Sequence, residues 1–415
     1  MDHFNYHDQQ LFAEAVPVAT IAKLFGTPCY IYSRATSERH WQAFDKAFEL
    51  QPHLICYAVK ANSNLAILDL LARLGSGFDI VSIGELERVL AAGGAANKIV
   101  FSGVGKKAHE LLRGLEVGIK CFNVESLAEL ALLNQLAKDT DCQARVALRV
   151  NPDIDAKTHP YISTGLKHNK FGLTLQQAKQ CLQNQEEYPQ IQFIGLACHI
   201  GSQLMELAPM LAALQQILSV IDELAASNIT LQHLNLGGGL GVRYKNEDPP
   251  HPSEYAAAVL PYLKSYKLEL ILEPGRAIAA NAGILVTQVD YLKENQGKHF
   301  AIVDAAMNDL LRPALYQAYQ EIIPVNASSS TAMQCYDIVG PICESGDFLG
   351  KDRELCLAVG DLLAIRTAGA YGFVMSSNYN SRPRAAEVMV DSENTYLIRE
   401  REVVADLFVG EHLIP

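Results

Sequence analysis

Short apolar, β-branched runs recur along the first two-thirds of the chain, at residues 54–59, 78–81, 98–102, 119–124, 145–150, 193–200, 233–237 and 268–273. Helix-like stretches lie between most of them, at 65–74, 84–92, 126–137 and 210–226. Strands alternating with helical patterns predict βαβ units and a parallel sheet. Eight such strands over roughly 220 residues fit a (β/α)₈ barrel of the usual ~250-residue size. A doubly wound open sheet carries the same local pattern and stands as the competing topology. After Arg276 the texture changes. Residues 283–292, 299–304, 333–339, 361–367, 384–390 and 395–402 read as strands with few helices between them, and Asp391-Ser392-Glu393-Asn394 reads as a hairpin turn. The fold class expected is therefore α/β, a barrel followed by a mainly antiparallel β domain. The first 27 residues can pack with either.

Composition narrows the function. The 415 residues exceed one ordinary domain, and 49% hydrophobic with 19% charged residues describes a globular chain with ample core. A net charge of -12 argues against nucleic acid or an anionic membrane as partner, since both select basic surfaces. Nine cysteines, scattered and without any C-x-x-C pair, form neither a disulfide framework nor a zinc site. They suit a reducing compartment. The N-terminus MDHFNYHDQQ lacks the basic and apolar regions of a signal peptide, and no apolar run approaches the ~20 residues of a membrane span. The expectation is a soluble cytoplasmic protein that binds no metal.

A barrel places functional side chains at the C-terminal ends of its strands. Polar residues collect there: Lys60, Ser82, Asn123, Asn151, His199, Gly237 to Gly239 and Glu273. Lys60 ends the apolar run Cys56-Tyr57-Ala58-Val59, where burial lowers an amine's pKa and suits it to attack an aldehyde. Gly237-Gly238-Gly239-Leu240-Gly241 offers backbone amides to a phosphate, without the G-x-G-x-x-G spacing of a dinucleotide fingerprint. Glu273-Pro274-Gly275-Arg276 sets a carboxylate where it can keep a heteroaromatic nitrogen protonated. His199, in His199-Ile200-Gly201-Ser202-Gln203, can stack on a flat ring. Arg312-Pro313-Ala314-Leu315-Tyr316 puts an arginine and a tyrosine on one helix face, suited to clamp a carboxylate. Gly340-Pro341-Ile342-Cys343-Glu344-Ser345 sets a thiol beside a carboxylate in a loop. Singly, each has a structural reading: a snorkelling lysine, a tight turn, a Glu–Arg ion pair, a hydrogen-bonded core histidine, a packed cysteine.

Together, and in this order along the chain, FGTPCYIY, YAVKAN, FDIVSIGE, HPYISTGLKHNKFG, HIGSQ, GGGLG, EPGR, MNDLLRPALY, GPICES and GAYG resemble the fold-type III pyridoxal-phosphate decarboxylases. The resemblance implies an alanine-racemase-like barrel over 28–275, and a β domain built from 1–27 and 276–415. It also implies a homodimer with two active sites at the subunit interface. Lys60 would be the Schiff-base lysine, and Gly237, Gly238 and Gly239 would cradle the phosphate with backbone from Gly275 and Arg276. Glu273 would hold the ring-nitrogen proton, His199 would stack on the ring, and Ser202 would join the cofactor-binding set. Arg276, Arg312 and Tyr316 would take substrate carboxylates, and Tyr371 would close the site. Cys343 and Glu344 would reach in from the partner subunit, the thiol as proton donor and the carboxylate as reader of an ammonium group. The activity implied is decarboxylation of meso-diaminopimelate to L-lysine and carbon dioxide, with residues 161–170 as a lid. The polyamine-branch decarboxylases that act on ornithine, arginine or lysine resemble it too, but carry aspartate where this chain has Glu344. An amino-acid racemase or a non-catalytic pyridoxal-phosphate carrier fits the motifs less well.

Overall fold

Eight parallel strands close on themselves in the first unit of the structure, a computed structural model that describes residues 2–155, 164–165, 168–328 and 331–415. In chain order they are His53–Ala58, Gly77–Ile80, Ile99–Phe101, Cys121–Val124, Ala144–Asn151, Ile191–Cys198, His233–Asn235 and Glu269–Leu272. The eighth returns to the first through Leu270 on His53, Ile271 on Leu54 and Leu272 on Ile55, which excludes the open sheet. Strands covered on both faces need apolar side chains at nearly every position, and this is why their sequences run continuously rather than alternate. Cys56, Val100, Cys121, Ala147, Ile194, Ala197 and Ile271 pack together in the interior.

Several helices between strands begin where the sequence provides a side-chain cap. Asn64 accepts from the amide of Ala66 ahead of Leu65–Arg73, and Ser126 from that of Glu129 ahead of Leu127–Asp139. Ser82 does the same for Ile83–Ala91 through the Glu85 amide, so this strand-end serine is a helix cap.

The second unit comprises Met1–Arg39, Arg243–Glu247 and Ala279–Pro415, and the barrel unit His40–Val242 with Asp248–Ile278. The second unit's long strand Gly283–Asn295 pairs antiparallel with Cys29–Ser33, Lys298–Val303 and Leu362–Ile365. Cys29–Ser33 also pairs in parallel with Ala386–Asp391, which turns through Ser392 (φ 55°) into Asn394–Arg399. Cys29–Ser33 is thus an inner strand of a mixed, mainly antiparallel sheet, all five residues buried. The compact unit accordingly runs to Arg39 rather than ending at residue 27, because this strand is flanked on both sides by sheet partners. Phe348–Leu355 pairs with Gln334–Val339 and was not expected as a strand. Its run Lys351-Asp352-Arg353-Glu354 is polar, and a strand with open surface carries no apolar signal.

Ile31 is fully buried in this sheet, within the cluster of Leu11, Ile21, Val286, Ala364 and Val388. Ile31→Ala should lower unfolding stability by about 2–5 kcal/mol, read as a shift in urea midpoint.

Candidate active site

Lys60 sits in the single 3₁₀ turn Val59–Ala61 that follows the first barrel strand. Its Nζ donates to the carboxylate of Asp79, which is fully buried in the second strand. The other oxygen of Asp79, Oδ1, finds no hydrogen-bond partner among the described residues. Sequence reasoning passed over Asp79, although an acidic residue inside the apolar strand Gly77–Ile80 was its signal.

Glu273 follows the eighth strand and is buried. Its Oε1 accepts from Asn235 Nδ2 at 2.6 Å and from Asn123 Nδ2 at 3.2 Å. Asn123 in turn donates to Ser102 Oγ at 2.9 Å. Burial pushes the Glu273 carboxyl up to about 7, the Asp79 carboxylate adds to the rise, and Lys60 with the Asn235 hydrogen bond opposes it. Asn235 was also missed. It does a second task, its Oδ1 accepting from the Gly237 amide at 2.8 Å and so fixing the start of the glycine loop.

In that loop Gly237 has φ +65° and Gly239 φ +110°. A Cβ on Gly238 would lie 2.1 Å from the Glu273 carbonyl oxygen, and one on Gly239 2.3 Å from that of Gly201. Only glycine leaves this loop its close packing and lets an anion approach its backbone without a Cβ between them. The Gly238 amide donates to His199 Nδ1 at 3.3 Å. Burial first, then the charges of Arg149 and Lys60, hold His199 well below its usual pKa, so the neutral ring carries its proton on Nε2. Arg276 Nε and Nη2 donate to Ser202 Oγ at 3.2 and 3.0 Å. A Cβ on Gly275 would meet those of Ala58 and Ala61 at 3.0 Å each, so glycine lets the Glu273–Arg276 turn close on the Lys60 turn. Ser102, Asn123, Arg149, Cys198, His199, Asn235 and Glu273 line one small cavity, and Arg149 pairs there with buried Glu125 at 2.6 Å.

The remaining expected residues belong to the β unit. Arg312 and Tyr316 lie on the short helix Arg312–Tyr316 with Pro313 in its first turn. The Arg312 guanidinium is buried, 5.6 Å from the Tyr316 ring centre and 5.1 Å from that of Tyr244. Cys343 and Glu344 are exposed on a loop, and Tyr371 takes φ 55°. Half of the candidate lid, Tyr161 to Ser163 with Leu166 and Lys167, lies outside the described residues. Among the described residues no group of His, Cys, Asp and Glu is arranged to hold a metal ion, and no helix is long and apolar enough to cross a membrane.

These donors fit pyridoxal phosphate. A strand-end amine suits its aldehyde, a desolvated carboxyl its ring nitrogen, a neutral imidazole its flat face, and a cradle closed to any Cβ its phosphate. A family model described as pyridoxal-dependent decarboxylase, pyridoxal binding domain, matches residues 34–280. A protein of Vibrio cholerae named diaminopimelate decarboxylase is 61% identical over 100% of both chains. The diaminopimelate decarboxylase of Helicobacter pylori, solved in complex with L-lysine, is 43% identical with a TM-score of 0.91, covering 94% of this chain and 98% of that one. The diaminopimelate decarboxylase structure from M. jannaschii superposes at TM-score 0.95 with 38% identity, over 100% of this chain and 98% of that one. This chain belongs to the pyridoxal-dependent decarboxylases and, within them, to the diaminopimelate decarboxylase family.

The raised Glu273 carboxyl gives the cofactor-free protein a pH signature. Its folded-state pKa exceeds the unfolded value near 4.5, so its stabilising contribution is complete below pH 4.5 and is lost as pH rises through about 7. The stability difference between wild type and Glu273→Gln should therefore fall by about 3 kcal/mol between pH 5 and pH 8, as read from urea unfolding. A difference that stays flat over that range would contradict the assignment.

Proposed function

We propose that this chain converts meso-2,6-diaminopimelate to L-lysine and carbon dioxide in the cytoplasm, as a homodimer that contributes Cys343 and Glu344 across its interface. The observation that carries the reading is full-length identity of 61% to a protein named diaminopimelate decarboxylase, on a chain whose barrel gathers Lys60, Asp79 and Glu273 at one mouth.

Pyridoxal phosphate supplies, when bound, the electron sink that makes loss of carbon dioxide from an amino acid feasible. The protein's part is orientation and charge. Lys60 holds the cofactor through Nζ, and Asp79 keeps that amine aimed at the strand mouth. Glu273, hydrogen-bonded by Asn235 and Asn123, holds the proton on the ring nitrogen. The Gly237 to Gly239 loop, through its Gly239 amide, takes the phosphate together with the backbone of Gly275 and Arg276, and the Ser202 hydroxyl on Arg276 borders the same cradle. His199 offers a neutral ring face and accepts the Gly238 amide. Arg276, Arg312 and Tyr316 bind the carboxylates, and Tyr371 shields the site from water. Once a carboxylate has left, Cys343 gives its thiol proton to the α-carbon, while Glu344 reads an ammonium group of the substrate.

The pyridoxal-phosphate-loaded protein should release carbon dioxide from meso-diaminopimelate and not from L-lysine, L-ornithine or L-arginine offered in parallel. Turnover of a monocarboxylate instead would move the enzyme to the polyamine branch. The shared site has its own test. Lys60→Ala and Cys343→Ala, each inactive alone, should regain part of the wild-type rate when mixed, because one hybrid site is then intact. Demonstrated subunit exchange without recovered activity would place the loop in its own chain's site.

A further inference from the structure

The loop that carries Cys343 and Glu344 is exposed, yet it is gripped at both residues from one neighbouring turn of the β unit. Asn380 Oδ1 accepts from the Cys343 amide at 3.0 Å. The hydroxyl of Tyr379, the preceding residue, donates to Glu344 Oε1. The turn reaches this position in an unusual backbone conformation, with φ 55° at Asn380 and 54° at Ser381. Asparagine tolerates that region better than most side chains.

Both sides of the grip are anchored. On the turn side, Asn378 Nδ2 donates to Glu402 Oε2 at 2.6 Å, and Glu402 is held by Arg384 at 2.7 Å. Arg382 Nη2 donates to the Asp304 carbonyl at 2.7 Å. On the loop side, Asp347 accepts from the amides of Ile342 at 2.8 Å and Met307 at 2.7 Å. Neither anchor touches Cys343 or the carboxylate of Glu344. Those two are oriented by Asn380 and Tyr379.

We propose that Asn380 and Tyr379 are positioning residues for the thiol and carboxylate of this loop. The inference rests on the role given above to Cys343 and Glu344. Asn380 fixes the Cys343 backbone, and with it the direction in which Cβ carries the sulfur. Proton delivery to one face of a carbon depends on that direction, since small misplacements cost large factors in rate. Tyr379 occupies Oε1 of Glu344 and turns Oε2 toward an ammonium group. The hydrogen bond to Glu344, and then the charge of that carboxylate, raises the Tyr379 pKa.

The test is steady-state kinetics and product analysis on purified holoenzymes with meso-diaminopimelate. Asn380→Ala and Asn380→Gly should lower kcat at least about tenfold with KM nearly unchanged, and raise the share of turnovers that end in misprotonated product. Asn380→Asp, which keeps both an acceptor and tolerance for φ 55°, should restore most of kcat. Tyr379→Phe should raise KM severalfold with a smaller change in kcat. Asn380→Gly relieves the backbone without providing an acceptor, so wild-type kcat and product from it would overturn the proposal. Equal losses in Asn380→Gly and Asn380→Asp would also overturn it, because the acceptor would then be irrelevant. If Asn380→Ala unfolds at assay temperature, the Gly and Asp pair decides. A Cys343→Ala control separates the two readings. Its full activity would remove the thiol's role and this inference with it, whereas its inactivity beside an active Asn380→Gly removes this inference alone.

Discussion

A carboxyl group that cannot easily ionise governs the barrel mouth. Glu273 is shut away from water beside the Asp79 carboxylate, and the ammonium of Lys60 is already engaged by Asp79. Lys60 is engaged by Asp79 and Arg149 by Glu125, so Glu273 has no ion-pair partner of its own, and burial first, then the Asp79 charge, lifts its pKa to about 7. The amide donors of Asn235 and Asn123 orient the carboxyl without neutralising its charge.

The same economy of space explains the glycine loop. Gly238 approaches the Glu273 backbone so closely that no side chain fits, and the Gly237 amide is tied to Asn235, which also holds the Glu273 carboxyl. The Glu273 carboxyl and the glycine loop therefore share one asparagine. His199 joins the two, accepting an amide of the loop while burial keeps its ring neutral.

The β unit follows a different logic. The loop that carries Cys343 and Glu344 is exposed, and side-chain oxygens hold its backbone amides. Asp347 and Asn380 each use a side-chain oxygen to hold loop amides that water would otherwise take. Backbone donors near the surface have no obligatory partner, so such side-chain acceptors decide where the chain rests.

Much of this was readable from the chain alone. The alternation of strand and helix length runs, the polar residues at strand ends and the glycine cluster were enough to anticipate a barrel with Lys60, His199, Gly237 to Gly239 and Glu273 at its mouth. They were legible because burial on both faces forces apolar runs, and because a polar residue ending such a run stands out. Asp79 and Asn235 were not read, since each lies inside a strand and its partner is 19 or 38 residues away. The placement of Cys29–Ser33 in the mainly antiparallel sheet, the strand Phe348–Leu355 and the turn that holds Cys343 were likewise decided by tertiary structure. Local sequence determines what a segment is able to bury and which residues can carry chemistry. Which carboxylate meets which amine depends on distant segments brought within hydrogen-bonding reach, where desolvation makes each charge depend on its neighbours.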